Sequence, residues 1–194
     1  MDVDFNLLKD TYTFGLNKIN LLFDKNSFRP SSIVSVNSFV IEQNKDFFNN
    51  TDIPIFIDSN SKKHLSNKKA VFLHGSEHRV FSETPHISIY QGFTVTFVAL
   101  QLAFYFGFSE VCLVGCDHNF ATKGKPNKVA ISGQSDPNHF DKNYYTGGAK
   151  WQLPDLFQSE ISYQLAKDVF ETNGRKIYNC TVGGKLDIYK RISL

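Results

Sequence analysis

Along this chain, short runs of apolar and β-branched residues alternate with longer stretches in which apolar residues recur at helical spacing. Residues 11–15 (TYTFG) predict a first strand, followed by a turn or short helix over 18–23. Residues 32–37 (SIVSVN) predict a second strand, because Ile33, Val34 and Val36 branch at Cβ and suit a pleat. A helix is expected over 39–48. A third strand follows over 53–57, where Pro54, lacking an N–H, belongs at a sheet edge or a strand start. Asp58 or Ser59 can cap a short helix reaching about residue 66, and residues 70–73 predict a fourth strand ending at His74-Gly75. The strongest helix covers 94–106: Val95, Val98, Ala99, Leu102 and Phe106 share its spacing, and Gly107 stops it. Residues 110–114 (EVCLV) are apolar after the first, as expected of a strand buried on both faces. The segment 118–153 is rich in Gly, Asn, Pro and Lys, and such a long irregular stretch predicts a functional lid. Pro154 suits the first turn of a last helix, to about residue 173, with Ile161, Leu165, Val169 and Phe170 as its apolar face. Gly174 ends it, and residues 176–180 predict a closing strand.

Strands that alternate with helices imply βαβ units and a mainly parallel sheet. The expected fold is therefore α/β, a Rossmann-like three-layer sandwich with a long lid-like loop before the last helix. At 194 residues the chain is expected to form one domain, 1–194, with 118–153 as its lid. In such sheets ligands bind beyond the carboxyl ends of the strands. The polar residues placed there are Asn17, Asn37, His74, Asp117 and Thr181.

Charge narrows the partners. With 21 basic and 19 acidic residues the net charge is +2, which carries no signature of nucleic-acid binding. Three cysteines are too few, and odd in number, for a disulfide framework, so a reducing cytoplasm is expected. The acidic start Met1-Asp2-Val3-Asp4-Phe5 lacks the apolar core of a signal peptide. No apolar run reaches the roughly 18 residues that a transmembrane helix needs; residues 93–108 carry Thr94, Thr96 and Gln101 and read as a buried helix.

Each candidate residue has a structural and a chemical reading. Asn17 and Asn37, at strand ends, suit turns because Asn accepts left-handed geometry; alternatively their amides bond a base, ribose or phosphate. Asp117, in Gly115-Cys116-Asp117-His118, is either a capping loop carboxylate or a group for a ribose hydroxyl or divalent metal. His139, in Asp136-Pro137-Asn138-His139-Phe140-Asp141, is a solvated loop histidine or a general base titrating near neutrality. His74 and His78 stand four apart with no third ligand evident, and Cys112 and Cys116 read as small buried side chains. The basic run Lys123-Gly124-Lys125-Pro126-Asn127-Lys128 is a solvated loop or a lid whose lysines meet phosphate. Tyr144 and Tyr145 cover a sugar or base, or pack the loop. GxGxxG, GxxxxGK[ST] and GxSxG are all absent, so the standard dinucleotide, P-loop and hydrolase readings lack support.

The series Phe14-Gly15-Leu16-Asn17, Val34-Ser35-Val36-Asn37 with Val40-Ile41-Glu42-Gln43, Gly92 opening a helix, and Leu113-Val114-Gly115-Cys116-Asp117-His118 resembles the MptE-like family. That family is named for an archaeal 6-hydroxymethylpterin diphosphokinase, and its bacterial members often accompany polysaccharide or flagellin glycosylation genes. Asp136-Pro137-Asn138-His139-Phe140 and Trp151-Gln152-Leu153-Pro154-Asp155 look like the bacterial branch. The same order of motifs is similar to that of bacterial CMP-sialic acid-dependent sialyltransferases. The resemblance implies nucleotide contacts at Asn17, Asn37, Gln91, Gly92, Thr94 and Asp117, with His139 in the lid as the base that deprotonates the acceptor. It implies a nucleotide-sugar or nucleotide substrate and bacterial surface glycan biosynthesis. The family name implies instead ATP-dependent diphosphate transfer to a hydroxymethyl pterin. That chemistry calls on Mg²⁺, with Asp117 as the candidate ligand and Asp136 and Asp141 as further carboxylates. The family usually opens with a strand and a Gly-x-Gly-Pro-Ser-Leu loop around the donor phosphates. Neither is found ahead of Met1-Asp2-Val3-Asp4-Phe5, so the resemblance also implies a truncated chain, or a nucleotide- or glycan-binding remnant.

Overall fold

The computed structural model describes residues 3–122, 124–134, 136 and 139–194. Met1, Asp2, Lys123, Pro137 and Asn138, which belong to motifs quoted above, lie outside them. Four strands, β1 (Phe14–Leu16), β2 (Ser32–Ser35), β3 (Ile55–Asp58) and β4 (Ala70–Leu73), form a parallel sheet in the order β1-β2-β3-β4. Between β2 and β3 the chain forms two short helices, α1 (Ser38–Gln43) and α2 (Lys45–Asn50), rather than the one expected. Asn44 is half out of helical geometry (φ −114°, ψ 16°). Its amide and that of Asn20 hydrogen-bond each other, which holds the break in place.

The central helix α3 (Val95–Tyr105) follows two paired two-residue strands, β5 (Gly75–Ser76) and β6 (Ile89–Tyr90). Nearly every α3 side chain is buried, because the helix has two apolar neighbours. Val98, Ala99 and Leu102 join Val34, Phe56 and Leu73 of the first sheet. Phe97, Leu100 and Phe104 join Tyr163, Ala166 and Phe170 on the other side. Those three come from the long helix α4 (Leu156–Thr172). The buried amide of Gln101 is fully used: Oε1 accepts from Ser82 N (2.8 Å), and Nε2 donates to Tyr90 O (2.8 Å) and Phe97 O (3.2 Å). It ties the 82–90 segment to α3, as a buried amide must be tied.

A second parallel sheet, in the order β11-β10-β7, comprises β7 (Glu110–Leu113), β10 (Lys176–Asn179) and β11 (Lys190–Arg191). The single sheet expected is thus divided in two. The starts of β1 and β7 share one aromatic cluster: Phe14 lies 5.9 Å from Phe106 and 6.5 Å from Phe108, and Tyr12 lies 5.3 Å from Phe108, between ring centroids. Yet the two strands do not pair, and among the described residues no strand occupies the second side of either. This also corrects the expectation that 110–114 is buried on both faces. Glu110 and Cys112 are exposed, because β7 ends its sheet and one face carries no helix. Pro54 precedes β3, an interior strand, and its carbonyl accepts from Ile33 N (2.9 Å), so the strand-start reading holds.

α4 begins two residues after Pro154, with Asp155 as its cap. Its buried face is Ser159, Ser162, Tyr163, Ala166 and Phe170, while Ile161, expected inside, is 49% exposed. Within 118–153 the chain forms an antiparallel hairpin, β8 (Val129–Ile131) with β9 (Lys150–Gln152). Val40, Tyr144, Tyr145, Trp151 and Leu153 seal it against α1 as a separate apolar cluster. No helix among the described residues is long and apolar enough to cross a membrane.

Candidate functional site

Asn17 and Asn37 end neighbouring parallel strands and so stand side by side at one rim. Each has the backbone role its residue type favours. Asn17 is left-handed (φ +52°), and its N–H donates to Val34 O at 2.9 Å. The Asn37 carbonyl oxygen caps α1, accepting from Phe39 N (3.0 Å) and Val40 N (3.4 Å). Asn37 Nδ2 donates to Gln152 Oε1 (3.3 Å) in the 118–153 segment, while Asn17 Oδ1 accepts from Ser35 Oγ (3.3 Å) and the next residue's N–H, that of Lys18, meets the Tyr144 hydroxyl (3.5 Å).

The 118–153 segment carries a histidine–carboxylate pair. His139 Nδ1 lies 2.8 Å from Asp136 Oδ2. A carboxylate can only accept, so Nδ1 carries the hydrogen and Nε2 is left with its lone pair. The imidazole stacks on Tyr144 (4.0 Å between centroids, 7° between planes) and meets Tyr145 and Trp151 edge-on. Burial pushes its pKa below the ordinary histidine value, more strongly than the Asp136 carboxylate raises it, so the ring is neutral at neutral pH.

Lys18, unremarked in the sequence, is buried beneath the same tyrosines. Its ammonium donates to Tyr144 O (2.7 Å) and Gln43 Oε1 (3.0 Å) and lies 4.7 Å from the Tyr145 ring centroid. Burial lowers its pKa to about 8, against the pull of Asp136. The folded value lies below lysine's ordinary value of 10.5, so between the two the unfolded chain holds the extra proton. The stability contributed at Lys18 therefore rises as pH climbs through that window. Chemical denaturation of the wild type and Lys18→Met between pH 7.5 and 10.5 should show the wild type gaining on the variant. A gap that stays constant with pH would remove Lys18 from this account.

The turn at Gln91, Gly92 and Thr94 sets the start of α3. Thr94 caps it by accepting from Thr96 N (3.3 Å), and its hydroxyl lies 3.2 Å from Tyr163 OH. Gln91 O accepts from Thr94 N (3.3 Å), and Gly92 is left-handed (φ +62°). This turn stands between the two rims. Val95 clusters with Leu16 at the end of β1, while Thr96 Oγ1 lies 3.9 Å from Cys116 Sγ, just beyond β7. Asp117 follows, with its side chain exposed and its carbonyl accepting from Lys185 N at 2.7 Å. Among the described residues no group of three His, Cys, Asp or Glu side chains converges as a metal site, so Asp117 stands without the partners a resident divalent ion takes. His74 and His78 likewise form no such group. Cys112, expected inside, is exposed.

An open groove of about 400 Å³ lies beside Asp117, bordered by His118, Phe120, Leu153, Asp155, Phe157 and Lys185 among others. Asn17, Asn37, Gln91, Gly92, Thr94 and His139 do not border it. Phe120 comes closest to linking the two regions, with its ring 5.9 Å from that of His139. The His118 imidazole is held by Glu160 (Nε2 to Oε1, 3.0 Å), a pairing that neither residue announces in sequence.

These features define a mixed α/β protein with mainly parallel sheets. A model of the family described as 6-hydroxymethylpterin diphosphokinase MptE-like matches residues 17–123, more than half of the chain, and the chain belongs to the MptE-like family. Membership implies a transferase-type function. The matched span takes in Asn17, Asn37, the Gly92 turn and Asp117 and ends before His139. Comparison with curated proteins and with solved structures gave no match.

Proposed function

We propose that residues 1–194 form one catalytic domain, a Rossmann-like three-layer sandwich, that transfers a group from a nucleotide-activated sugar in the cytoplasm during bacterial surface glycan synthesis. The observation that carries this reading is the His139–Asp136 pair, which holds a neutral imidazole stacked on Tyr144, whose carbonyl accepts from Lys18 beside Asn17. Asn17, Asn37 and the Gln91-Gly92-Thr94 turn hold the nucleotide, and Asp117 takes a ribose hydroxyl. His139 Nε2 removes the acceptor hydroxyl proton as that oxygen attacks the sugar carbon. The bond from this carbon to the nucleotide phosphate oxygen breaks, and the phosphate leaves with the electron pair. Lys125 and Lys128 of the lid stabilise that charge, an electrostatic role.

In the structure Gln152 occupies the amide of Asn37, and Tyr144 is bonded by the main chain and ammonium of Lys18, next to Asn17. Nucleotide entry therefore displaces part of the lid. The only tryptophan, Trp151, sits there, stacked on Tyr145 at 5.6 Å and 6% exposed. CMP, CDP, UDP, GDP and ATP, each with and without magnesium, are to be compared by melting temperature and Trp151 emission. A ligand at 100 times its Kd raises stability by about 2.7 kcal/mol. The expected result is a rise with CMP that needs no metal, together with a red shift in emission. An ATP response that requires magnesium favours the diphosphokinase reading given by the family description, in which the triphosphate itself would supply most of the metal's ligands. Silence across the panel would sink both readings and leave a binding remnant.

A further inference from the structure

The groove beside Asp117 is furnished from three directions. Its apolar lining is Phe120, Leu153 and Phe157. Phe157 is 69% exposed and Ile161, one helical turn on, is 49% exposed, so α4 offers an apolar strip at the groove's lip. His118 supplies a polar group from a strained position, since its φ of +49° is unusual for a side chain of that size. Glu160 engages its Nε2 at 3.0 Å and fixes the ring in the groove wall, where 6% of the side chain is exposed. Lys185 supplies the charge. Among the described residues no ion pair involves Lys185. The groove's one carboxylate is already used: Asp155 accepts from Gln158 N (3.1 Å) and Asn127 Nδ2 (3.2 Å).

The turn bearing Lys185 is far more firmly held than an exposed loop needs to be. Arg191 donates to four of its carbonyls: Thr181 (3.2 Å), Gly183 (2.6 Å), Gly184 (3.2 Å) and Leu186 (3.3 Å). Asn179 Nδ2 donates to Leu186 O (2.8 Å), and its Oδ1 accepts from Thr181 N (2.9 Å). Gly184, left-handed at φ +75°, lies so close to Asp117 that a Cβ would come within 2.7 Å of the Asp117 carbonyl oxygen. An unpaired cation on a fixed mount beside an apolar strip is suited to one kind of ligand. We propose that this groove binds a sugar-like ring bearing an anionic group: the ring lies on Phe157 and Phe120, a hydroxyl meets His118, and the anion meets Lys185. This rests on the reading above only in naming that ligand the acceptor.

The test uses calorimetric titration of the full chain with glucose 6-phosphate, glucose and inorganic phosphate, in the absence of nucleotide. Glucose 6-phosphate is expected to bind saturably and more tightly than either fragment. Lys185→Gln should weaken it at least tenfold and leave glucose unchanged, whereas Phe157→Ser should weaken both sugars. Both replaced side chains are exposed, and melting curves check that the variants fold. The groove assignment fails if glucose 6-phosphate shows no saturation by 10 mM, or if Lys185→Gln binds it as the wild type does. The CMP response is measured on the same variants. If it survives in Lys185→Gln, the groove is separate from the nucleotide site, as proposed; if it is abolished, the acceptor assignment is wrong. A missing CMP response in the wild type, with sugar phosphate still bound, overturns the nucleotide reading alone.

Discussion

His139→Gln is expected to lower turnover of the donor selected by the nucleotide panel by roughly 10²- to 10⁴-fold, the usual contribution of a positioned general base. Nucleotide release is the readout. Glutamine keeps a planar polar side chain over Tyr144, so the melting temperature and the CMP-induced rise should change little. Asp136→Asn should behave differently. It removes the charge that raises the imidazole pKa and offers an NH2 donor in place of an acceptor-only carboxylate, so the tautomer is no longer fixed, turnover falls and the acid limb of the pH profile moves to lower pH. In the wild type that limb should lie below the ordinary histidine value, because burial already lowers the His139 pKa. The same shift has a stability consequence. Below the ordinary value the unfolded chain protonates this histidine before the folded one does, so stability is lost as pH falls through that range. If His139→Gln retains wild-type turnover, His139 is a packing residue of the lid.

Gly92→Ala should be the most damaging small substitution in the central part of the molecule. A Cβ there would lie 2.3 Å from Phe97 Cδ1, 2.8 Å from Phe97 Cγ and 2.9 Å from Ser162 Oγ. Phe97 is fully buried between Phe81, Tyr90 and the α4 face and cannot swing aside. The left-handed backbone adds its own penalty for any residue with a Cβ. Together these cost about 2–5 kcal/mol, measurable by urea denaturation. The strain sits at the start of α3, so a protein that still folds should also respond less to CMP. A loss under about 0.5 kcal/mol would show that the turn yields easily.

Much of the parallel architecture could be read from the chain, because β-branched runs such as Ile33-Val34 and the spacing of Val95, Val98, Ala99 and Leu102 report burial locally. The rim positions of Asn17, Asn37 and Asp117 followed from those strand ends. What stayed hidden depends on distant partners. β7 looked doubly buried because Val111, Cys112 and Leu113 are apolar, but exposure is decided by what packs on each face, and the face of Glu110 and Cys112 is exposed. Lys18 meets Tyr144 across 126 positions, a contact without local periodicity. The lid's hairpin and aromatic cluster are likewise assembled against α1, so residues 118–153 read only as irregular. Asp136 was within reach: it stands three residues before His139, and a carboxylate at that distance is a signal for an oriented imidazole.

That no described strand lies on the far side of β1 or β7 has a practical consequence. Thr13 O and Asn17 N bond toward β2, so Phe14 and Leu16 direct their main-chain groups the other way. On β7, Ser109 O and Leu113 O bond toward β10, which leaves Glu110 and Cys112 facing outward. Bare rows of amides and carbonyls recruit any extended polypeptide that comes by, including another copy of the same protein. Purified at high concentration, this protein will tend to stick to itself through those two rows, and its solubility will hinge on how well they are shielded.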